Sequence, residues 1–316
     1  MRALLTGVTG FVGSYLTEEL LRRNWKVVGL VPPEERIDPQ IEVFQKIRVI
    51  RGSILDPDEL AVHLEESGVT EVIHLAAESA PSKSFSLPQR FFDVNVLGTQ
   101  YLFEAVRNSG SVNRVTFVTS SDVYGIVSPE HMPIAEDTPP APLNPYAASK
   151  AACHHIARQY SMNFDLEVVE VRPFNMVGPR QAPGFVLPDW SKQVADINKN
   201  KSKPIISVGR LTDQRDFVDV RDAARAFADI VETGNSGELY HICSGTGTLI
   251  KDLLDKLLSF SEVDIEVKQN TDLLRPTKMP VVIGSNRKIK ELSGWSPKIP
   301  LEQTIEDTLE FWLARI

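Results

Sequence analysis

Cysteine is almost missing from this 316-residue chain: Cys153 and Cys243 are the only two. Two thiols make neither a disulfide framework nor a zinc set. Long apolar runs are missing as well. No stretch approaches the roughly 18 residues of a membrane span. The apolar opening, from Met1 to Thr6, is too short for a secretory leader and reads as a strand. There is no basic excess: 34 Lys and Arg face 42 Asp and Glu, a net charge of −8, with a sequence pI near 5.4. A nucleic-acid binder would show the opposite balance. Repeats, low-complexity tracts and long charge runs are absent. The six histidines show no ligand spacing. His154 and His155 are adjacent on a helix and point apart, and His74 falls in a buried strand as a satisfied core residue. No metal site is expected. What remains is an acidic, soluble, cytoplasmic globular chain, 42% hydrophobic, long enough to bury a sizeable core and to form about two domains.

In the first half, short apolar runs at 3–6, 26–31, 47–50, 71–75, 114–119 and 167–172 read as buried strands. Helical patterns at 11–23, 56–66, 88–109 and 145–163 lie between them, and 32–46 carries the weakest pattern. This alternation predicts an α/β fold, a Rossmann-like doubly wound parallel sheet with helices on both faces. Beyond residue 173 prolines at 179, 183, 188 and 204 punctuate the chain. Helical patterns return at 188–199, 219–232, 248–259 and 301–314, with Asp219 and Thr248 as N-cap candidates. The expected division is a dinucleotide-binding domain at 1–173 and a smaller mixed α/β lobe at 174–316, with parts of 205–243 returning to the first domain.

Three motifs carry chemistry. Gly7-Val8-Thr9-Gly10-Phe11-Val12-Gly13 follows a strand and opens a helix. Glycine lets the backbone turn tightly and approach a ligand, and the helix N-terminus offers free N–H groups to a pyrophosphate. Thr119-Ser120-Ser121-Asp122-Val123-Tyr124-Gly125 ends the fifth strand, at the sheet edge where α/β proteins bind ligands. Tyr146-Ala147-Ala148-Ser149-Lys150 follows Asn144, a good N-cap, and Pro145, a good first helical residue. Tyr146 and Lys150 therefore share one helix face. A nearby ammonium lowers a phenol's pKa from about 10, so the pair is expected to move a proton at a sugar or alcohol oxygen. Cys153, two turns beyond Tyr146, reads as helix packing.

Together with His74-Leu75-Ala76-Ala77, Asn95-Val96-Leu97-Gly98-Thr99 and the segment 172–181 (RPFNMVGPRQ), these motifs resemble the extended short-chain dehydrogenases/reductases, the NAD-dependent epimerase/dehydratase family, over essentially the whole chain. The second half, through 184–193, 215–222, 243–248, 274–276 and 283–302, is most similar to enzymes of GDP-6-deoxyhexose synthesis. Among these the GDP-4-keto-6-deoxy-D-mannose reductases come first and the GDP-mannose 4,6-dehydratases next. The resemblance implies that Gly7, Gly10, Phe11, Val12 and Gly13 hold the cofactor pyrophosphate. It places Ser53 and Ile54 at the adenine, Leu75, Ala76 and Ala77 along the cofactor's path, and Asn95 nearby. It makes Tyr146 the acid–base residue, Lys150 its modulator and Ser120 its partner on the substrate oxygen. Asn175, Arg215 and Arg275 face the diphosphate of a sugar nucleotide, and Lys192 and Val208 lie near its base. Arg172 and Arg180 add positive charge to the same lobe. A homodimer through the helices at 88–109 and 145–163 is implied as well.

Two departures matter. Val31 stands where many members carry an acidic residue for the adenosine ribose, and Ser53 where many carry an adenine-binding Asp. The cofactor is NAD or NADP, with the choice between them open. Asp122 occupies the position of a dehydratase Glu, one methylene shorter, which retracts its carboxylate by about 1.5 Å. An offset of that order can cost about 10²-fold in rate. The reading is therefore a reductase that transfers hydride to C4 of a GDP-4-keto-6-deoxyhexose with Tyr146 as general acid. A dehydratase or a nucleotide-sugar 4-epimerase is the alternative. A cofactor-binding sensor without turnover is the remote one.

Overall fold

The structure, a computed structural model, describes residues 1–274 and 279–316. The first strand, β1 (Arg2–Thr6), is buried along its length and leads through the glycine-rich turn into α1 (Phe11–Arg22). Then come β2 (Lys26–Val31), β3 (Arg48–Arg51), α2 (Pro57–Ser67) and β4 (Glu71–His74). The weakly patterned stretch before β3 holds only a 3₁₀ turn, Glu42–Lys46. The single helix expected over 88–109 is a composite. Short helices α3 (Pro81–Ser84) and α4 (Pro88–Phe91) precede a π-helical segment, Phe92–Leu97, that runs into α5 (Gly98–Ser109). Gly98 sits where an added Cβ would meet the Ile54 side chain at 2.7 Å, so the missing side chain lets this helix close on the turn after β3. Next are β5 (Arg114–Val118), α6 (Pro145–Asn163) and β6 (Glu167–Pro173).

The remainder begins with β7 (Asn175–Val177), α7 (Val186–Asn198), β8 (Ile205–Val208) and β9 (Gln214–Asp219). It continues with α8 (Val220–Thr233), β10 (Leu239–Ile242), β11 (Gly247–Leu249) and α9 (Ile250–Leu258). It ends with β12 (Glu266–Gln269), β13 (Val281–Val282), α10 (Arg287–Ser293) and α11 (Leu301–Arg315).

The main sheet has seven strands in the order β3-β2-β1-β4-β5-β6-β10, and every pairing in it is parallel. The order reverses between β1 and β4, the switch point at which such sheets open a ligand crevice. Leu16 and Leu20 of α1 and Phe227 and Ile230 of α8 cover one face. Leu60 of α2, Phe103 of α5 and Tyr160 of α6 cover the other. With both faces covered, the strands need no polar side, which is why they read as continuous apolar runs.

Asp219 caps α8, its carboxylate accepting the Arg221 N–H. The expected cap at Thr248 is not formed. Thr248 lies in β11, paired with Arg215 of β9, and α9 starts at Ile250. The N–H groups of Ile250 and Lys251 donate instead to the carbonyls of Asp213 and Leu211, so a neighbouring loop caps the helix. β9 also pairs in parallel with β7 and β13, and β8 with β12. These short strands carry no sequence signature of their own. They roof the carboxyl edge of the main sheet over a core of Trp190, Leu253, Leu257 and Ile305.

Candidate active site

Between the sheet's carboxyl edge and the second lobe lies a cleft of about 2190 Å³. At one end is the glycine-rich turn. Gly7 has φ +68, and a Cβ there would stand 2.7 Å from the Ala76 nitrogen. A Cβ on Gly13 would stand 2.2 Å from the Gly7 carbonyl oxygen. Only glycine closes this turn, which ends with Gly10 as the N-cap of α1 and no side chain over the helix start. The first-turn N–H groups of a helix lack internal partners, and they line a concavity that suits a pyrophosphate. This is the fit a dinucleotide needs. Gly7, Gly10, Phe11, Val12, Gly13, Ser53, Ile54, Leu75, Ala76 and Ala77 all line the cleft.

The residues expected to handle the proton lie further along the wall. Asn144 accepts the Ala147 N–H at 2.8 Å and starts α6. Tyr146 is 7% exposed and Lys150 5%. Both line the cleft, as do Ser120 and Asp122. Ser120 Oγ accepts the Asp122 N–H at 3.2 Å and hydrogen-bonds the Tyr146 phenol. The Tyr146 ring meets Phe91 edge-on at 6.1 Å. Lys150 Nζ donates to the Val118 carbonyl at 2.8 Å, which anchors it to the end of β5.

The expected depression of the phenol pKa by Lys150 is not what this arrangement gives. Burial raises the Tyr146 pKa well above the usual phenol range, the Asp122 carboxylate adds to the rise, and Ser120 opposes it. Burial also pushes the Lys150 pKa down, against the nearby Cys153 and Glu170. Desolvation disfavours the charged form of both groups, and it outweighs their one-turn separation.

Two buried polar chains support this set. In the first, Thr6 Oγ1 lies 2.8 Å from His74 Nδ1 and Thr99 Oγ1 3.1 Å from His74 Nε2. Thr99 in turn reaches Cys153 Sγ at 3.6 Å, and Cys153 donates to the Asn95 carbonyl at 3.1 Å. His74 is thus a satisfied core residue, held neutral by burial with its pKa pushed down to about 3. Asn95 is buried off the cleft wall. Its amide clasps the Glu78 backbone at 2.8 and 3.1 Å and donates to Ser149 Oγ at 2.9 Å. It acts on the cleft through that loop and through the helix carrying Tyr146. In the second chain, the Glu170 carboxylate accepts from Thr119 Oγ1 and from Arg172 at 2.6 Å, and it pairs with His154 Nδ1. Glu170 therefore ties the strand end next to Ser120 to α6, one turn past Lys150. Arg172, 1% exposed and stacked over Tyr124 at 4.8 Å, belongs to this brace and is not a diphosphate ligand.

On the far wall, Asn175, Lys192 and Arg215 line the cleft. Asn175 donates to the Asp216 carbonyl at 3.1 Å, Lys192 pairs with Asp196 at 2.9 Å, and Arg215 reaches Asp213 at 3.2 Å. Asp216, fully buried, accepts the N–H groups of Ser244, Gly245 and Gly284 and so fixes the strand that carries Arg215. Val208 faces the second core rather than the wall, although its neighbours Ser207 and Gly209 line the cleft. Arg180 stacks on Tyr15 at 4.4 Å and pairs with Glu18 at 2.8 Å, away from the wall. Arg275 lies outside the described residues. Sequence reasoning missed Thr9 and Glu35. The Thr9 hydroxyl donates to the Glu35 carboxylate, and both line the cleft. The signal was present in the glycine-rich turn and in Pro33-Glu34-Glu35, but α1 and β2 separate them in the chain and Glu35 sits in an irregular loop beyond β2.

A family model described as GDP-mannose 4,6 dehydratase matches residues 4–308. The chain is 31% identical over 317 residues to a GDP-6-deoxy-D-mannose reductase of Pseudomonas aeruginosa, covering 100% of this chain and 98% of that protein. The solved structure of RMD from Pseudomonas aeruginosa complexed with NADPH superposes with a TM-score of 0.87 at 30% identity, covering 100% and 99% of the two chains. The UDP-glucose 4-epimerase of Thermus thermophilus, solved with NAD, gives a TM-score of 0.89 at 28% identity, with 100% of both chains covered. No helix among the described residues is long and apolar enough to cross a membrane.

Proposed function

We propose, from the premise that this chain belongs to the GDP-mannose 4,6 dehydratase family, that it is a nucleotide-sugar oxidoreductase and reduces the C4 keto group of a GDP-4-keto-6-deoxyhexose. The observation that carries this reading is a buried phenol, Tyr146, bonded to Ser120 on the wall that also holds the glycine-rich turn. Below its pKa the phenol carries the proton that reduction of a ketone consumes, and its place on the cleft wall lets it act as a general acid. The likeness to a GDP-6-deoxy-D-mannose reductase supports the same choice.

A reduced nicotinamide, when bound, supplies the hydride that arrives at C4. Tyr146 gives its proton to the C4 oxygen as the carbonyl becomes a hydroxyl. Ser120 Oγ, already within reach of the phenol, orients that oxygen. The Lys150 ammonium, one helical turn on, stabilises the phenolate that remains. Asn175 and Arg215 hold the diphosphate end, where cations and amide donors match phosphate oxygens, and Lys192 lies towards the base.

A second reading, the dehydratase, has one observation in its favour. Asp122 lines the cleft close enough to raise the Tyr146 pKa, and a dehydratase needs a base for the C5 proton. Its shorter side chain weighs against that role. The two readings separate in one assay. Purified protein given GDP-4-keto-6-deoxymannose and reduced cofactor should consume the cofactor's absorbance, and no consumption sinks the reductase. Formation of a 4-keto product from GDP-mannose would favour the dehydratase. The same reading includes a homodimer through α4–α5 and α6, supported by exposed Phe92 and Leu97 and testable by sedimentation.

A further inference from the structure

The adenosine end of the cleft shows a feature that the residue after β2 does not announce. Val31 is fully buried and offers nothing to a ligand. The loop beyond it folds back, so that Pro32, Glu34 and Glu35 line the cleft beside Thr9, Ser53 and Ile54. The Glu35 carboxylate takes the Thr9 hydroxyl of the glycine-rich turn. Arg51 holds this loop in place, its guanidinium donating to the Pro32 carbonyl at 3.0 Å and the Glu35 carbonyl at 2.6 Å. Its charge is thus engaged by the loop's backbone. Arg36, the next residue, is exposed and is absent from the lining of the cleft. Among the described residues, the groups that line this end include two carboxylates and no cation.

We propose that Glu35 is the residue that reads the adenosine ribose, and that it selects NAD(H) over NADP(H). This rests on the reading of the glycine-rich end as the seat of the nicotinamide cofactor. A carboxylate only accepts hydrogen bonds and has about four lone-pair sites. The Thr9 hydroxyl uses one, and the ribose diol can donate to others. Glu35 stands 22 residues after Gly13, close to the chain distance at which an acidic residue takes the ribose 2′-hydroxyl in dinucleotide folds. A 2′-phosphate has no proton to donate at neutral pH and carries the same sign of charge. Juxtaposing like charges is costly, and Glu34 on the same wall adds to the repulsion. The inference sets this chain apart from its Pseudomonas aeruginosa relative, whose structure was solved with NADPH.

Titration of the full-length protein with NADH and with NADPH, followed by nicotinamide fluorescence, tests it without turnover. NADH is expected to bind about tenfold or more tightly than NADPH, a difference of about 1.4 kcal/mol. In Glu35→Gln, whose amide can donate to a phosphate, the ratio should fall by about tenfold while the melting temperature holds. Arg36→Ala should leave the ratio as it is. Equal or tighter NADPH binding by the native protein overturns the proposal. So does an unchanged ratio in Glu35→Gln, or a loss confined to NADPH in Arg36→Ala. If neither nucleotide binds, the cofactor reading falls with it; if both bind equally, only the selectivity falls.

Discussion

Replacing Tyr146 by Phe removes one oxygen from the structure and little else. The ring keeps its edge-on contact with Phe91 at 6.1 Å, and Ser120 Oγ keeps the Asp122 N–H. The lost hydrogen bond to Ser120 is worth about 1 kcal/mol of stability. The catalytic loss is larger. A positioned general acid contributes about 10²- to 10⁴-fold, or roughly 3–5 kcal/mol of barrier at 1.36 kcal/mol per decade. The assay is single-turnover oxidation of the reduced cofactor by GDP-4-keto-6-deoxymannose, with cofactor affinity measured in parallel. Tyr146→Phe should lose at least about 100-fold in rate while binding the cofactor as before. The pH profile sharpens the test. Reduction needs the protonated phenol, which is present below its pKa, and burial and Asp122 both raise that pKa. No falling limb from Tyr146 should therefore appear until the pH passes the usual phenol value of about 10. Asp122→Asn removes the largest raising influence after burial and should bring that limb to lower pH. A Phe variant that keeps more than about a tenth of the native rate, too fast for the loss of a general acid, would refute the reasoning.

Gly7→Ala and Gly110→Ala impose the same backbone strain, since both glycines have φ above +60. Gly110 has nothing within 4 Å of an added Cβ, whereas Gly7 would press on the Ala76 backbone at 2.7 Å. Urea denaturation should show about 1–2 kcal/mol lost for Gly110→Ala and about 1–3 kcal/mol more for Gly7→Ala from overpacking, which should also lose cofactor binding. Equal losses would remove the case for a closed turn. The His74 pKa falls from 6.5 to about 3 on folding. Between those values the unfolded chain holds a proton the folded one lacks, so stability is lost as pH falls through that window. At pH 5 the loss from this residue is about 2 kcal/mol. Unfolding free energies of His74→Gln from urea titrations at pH 7.5 and 5 should differ less than those of the native protein by about that amount. Arg215→Ala should raise the KM for the sugar nucleotide by about 10- to 100-fold, the worth of a charge-assisted bond. Cofactor affinity should be unchanged, and an unaltered KM would take Arg215 out of the diphosphate site.

Much of the main sheet and its helices was legible because their signals are local. The strands from Arg2–Thr6 to Glu167–Pro173 are short apolar runs bounded by turn residues, and Asn144-Pro145 marks the start of α6 within one turn. The second lobe was less legible because its strands are made by their partners. Gly247–Leu249 has three half-buried residues and no alternation. It is a strand because β9 lies beside it, and that pairing displaced the cap expected at Thr248. The π-helical segment Phe92–Leu97 was hidden for a similar reason, since its apolar spacing differs too little from that of an α-helix.

The same division runs through the site. Tyr146 and Lys150 could be paired from sequence because four residues along a helix fix their shared face. The groups that decide what the pair does are non-local. Asn95 meets Ser149 across 54 positions, Thr119 meets Glu170 across 51, and Thr9 meets Glu35 across 26. No spacing rule reaches such contacts, and each changed a reading. Asn95 became a brace for the Glu78 loop, Arg172 became Glu170's partner instead of loose positive charge in the second lobe, and the cleft beside the glycine-rich turn gained a carboxylate that Val31 does not supply. A buried carboxylate with three partners, such as Glu170, is costly to leave half-satisfied. The loss of any one partner should therefore shift the strand end at Ser120 against the helix at Lys150. On the proposed mechanism, precision of proton transfer is then held in the seam between β5, β6 and α6, and the motif residues are the part of that seam that faces the cleft.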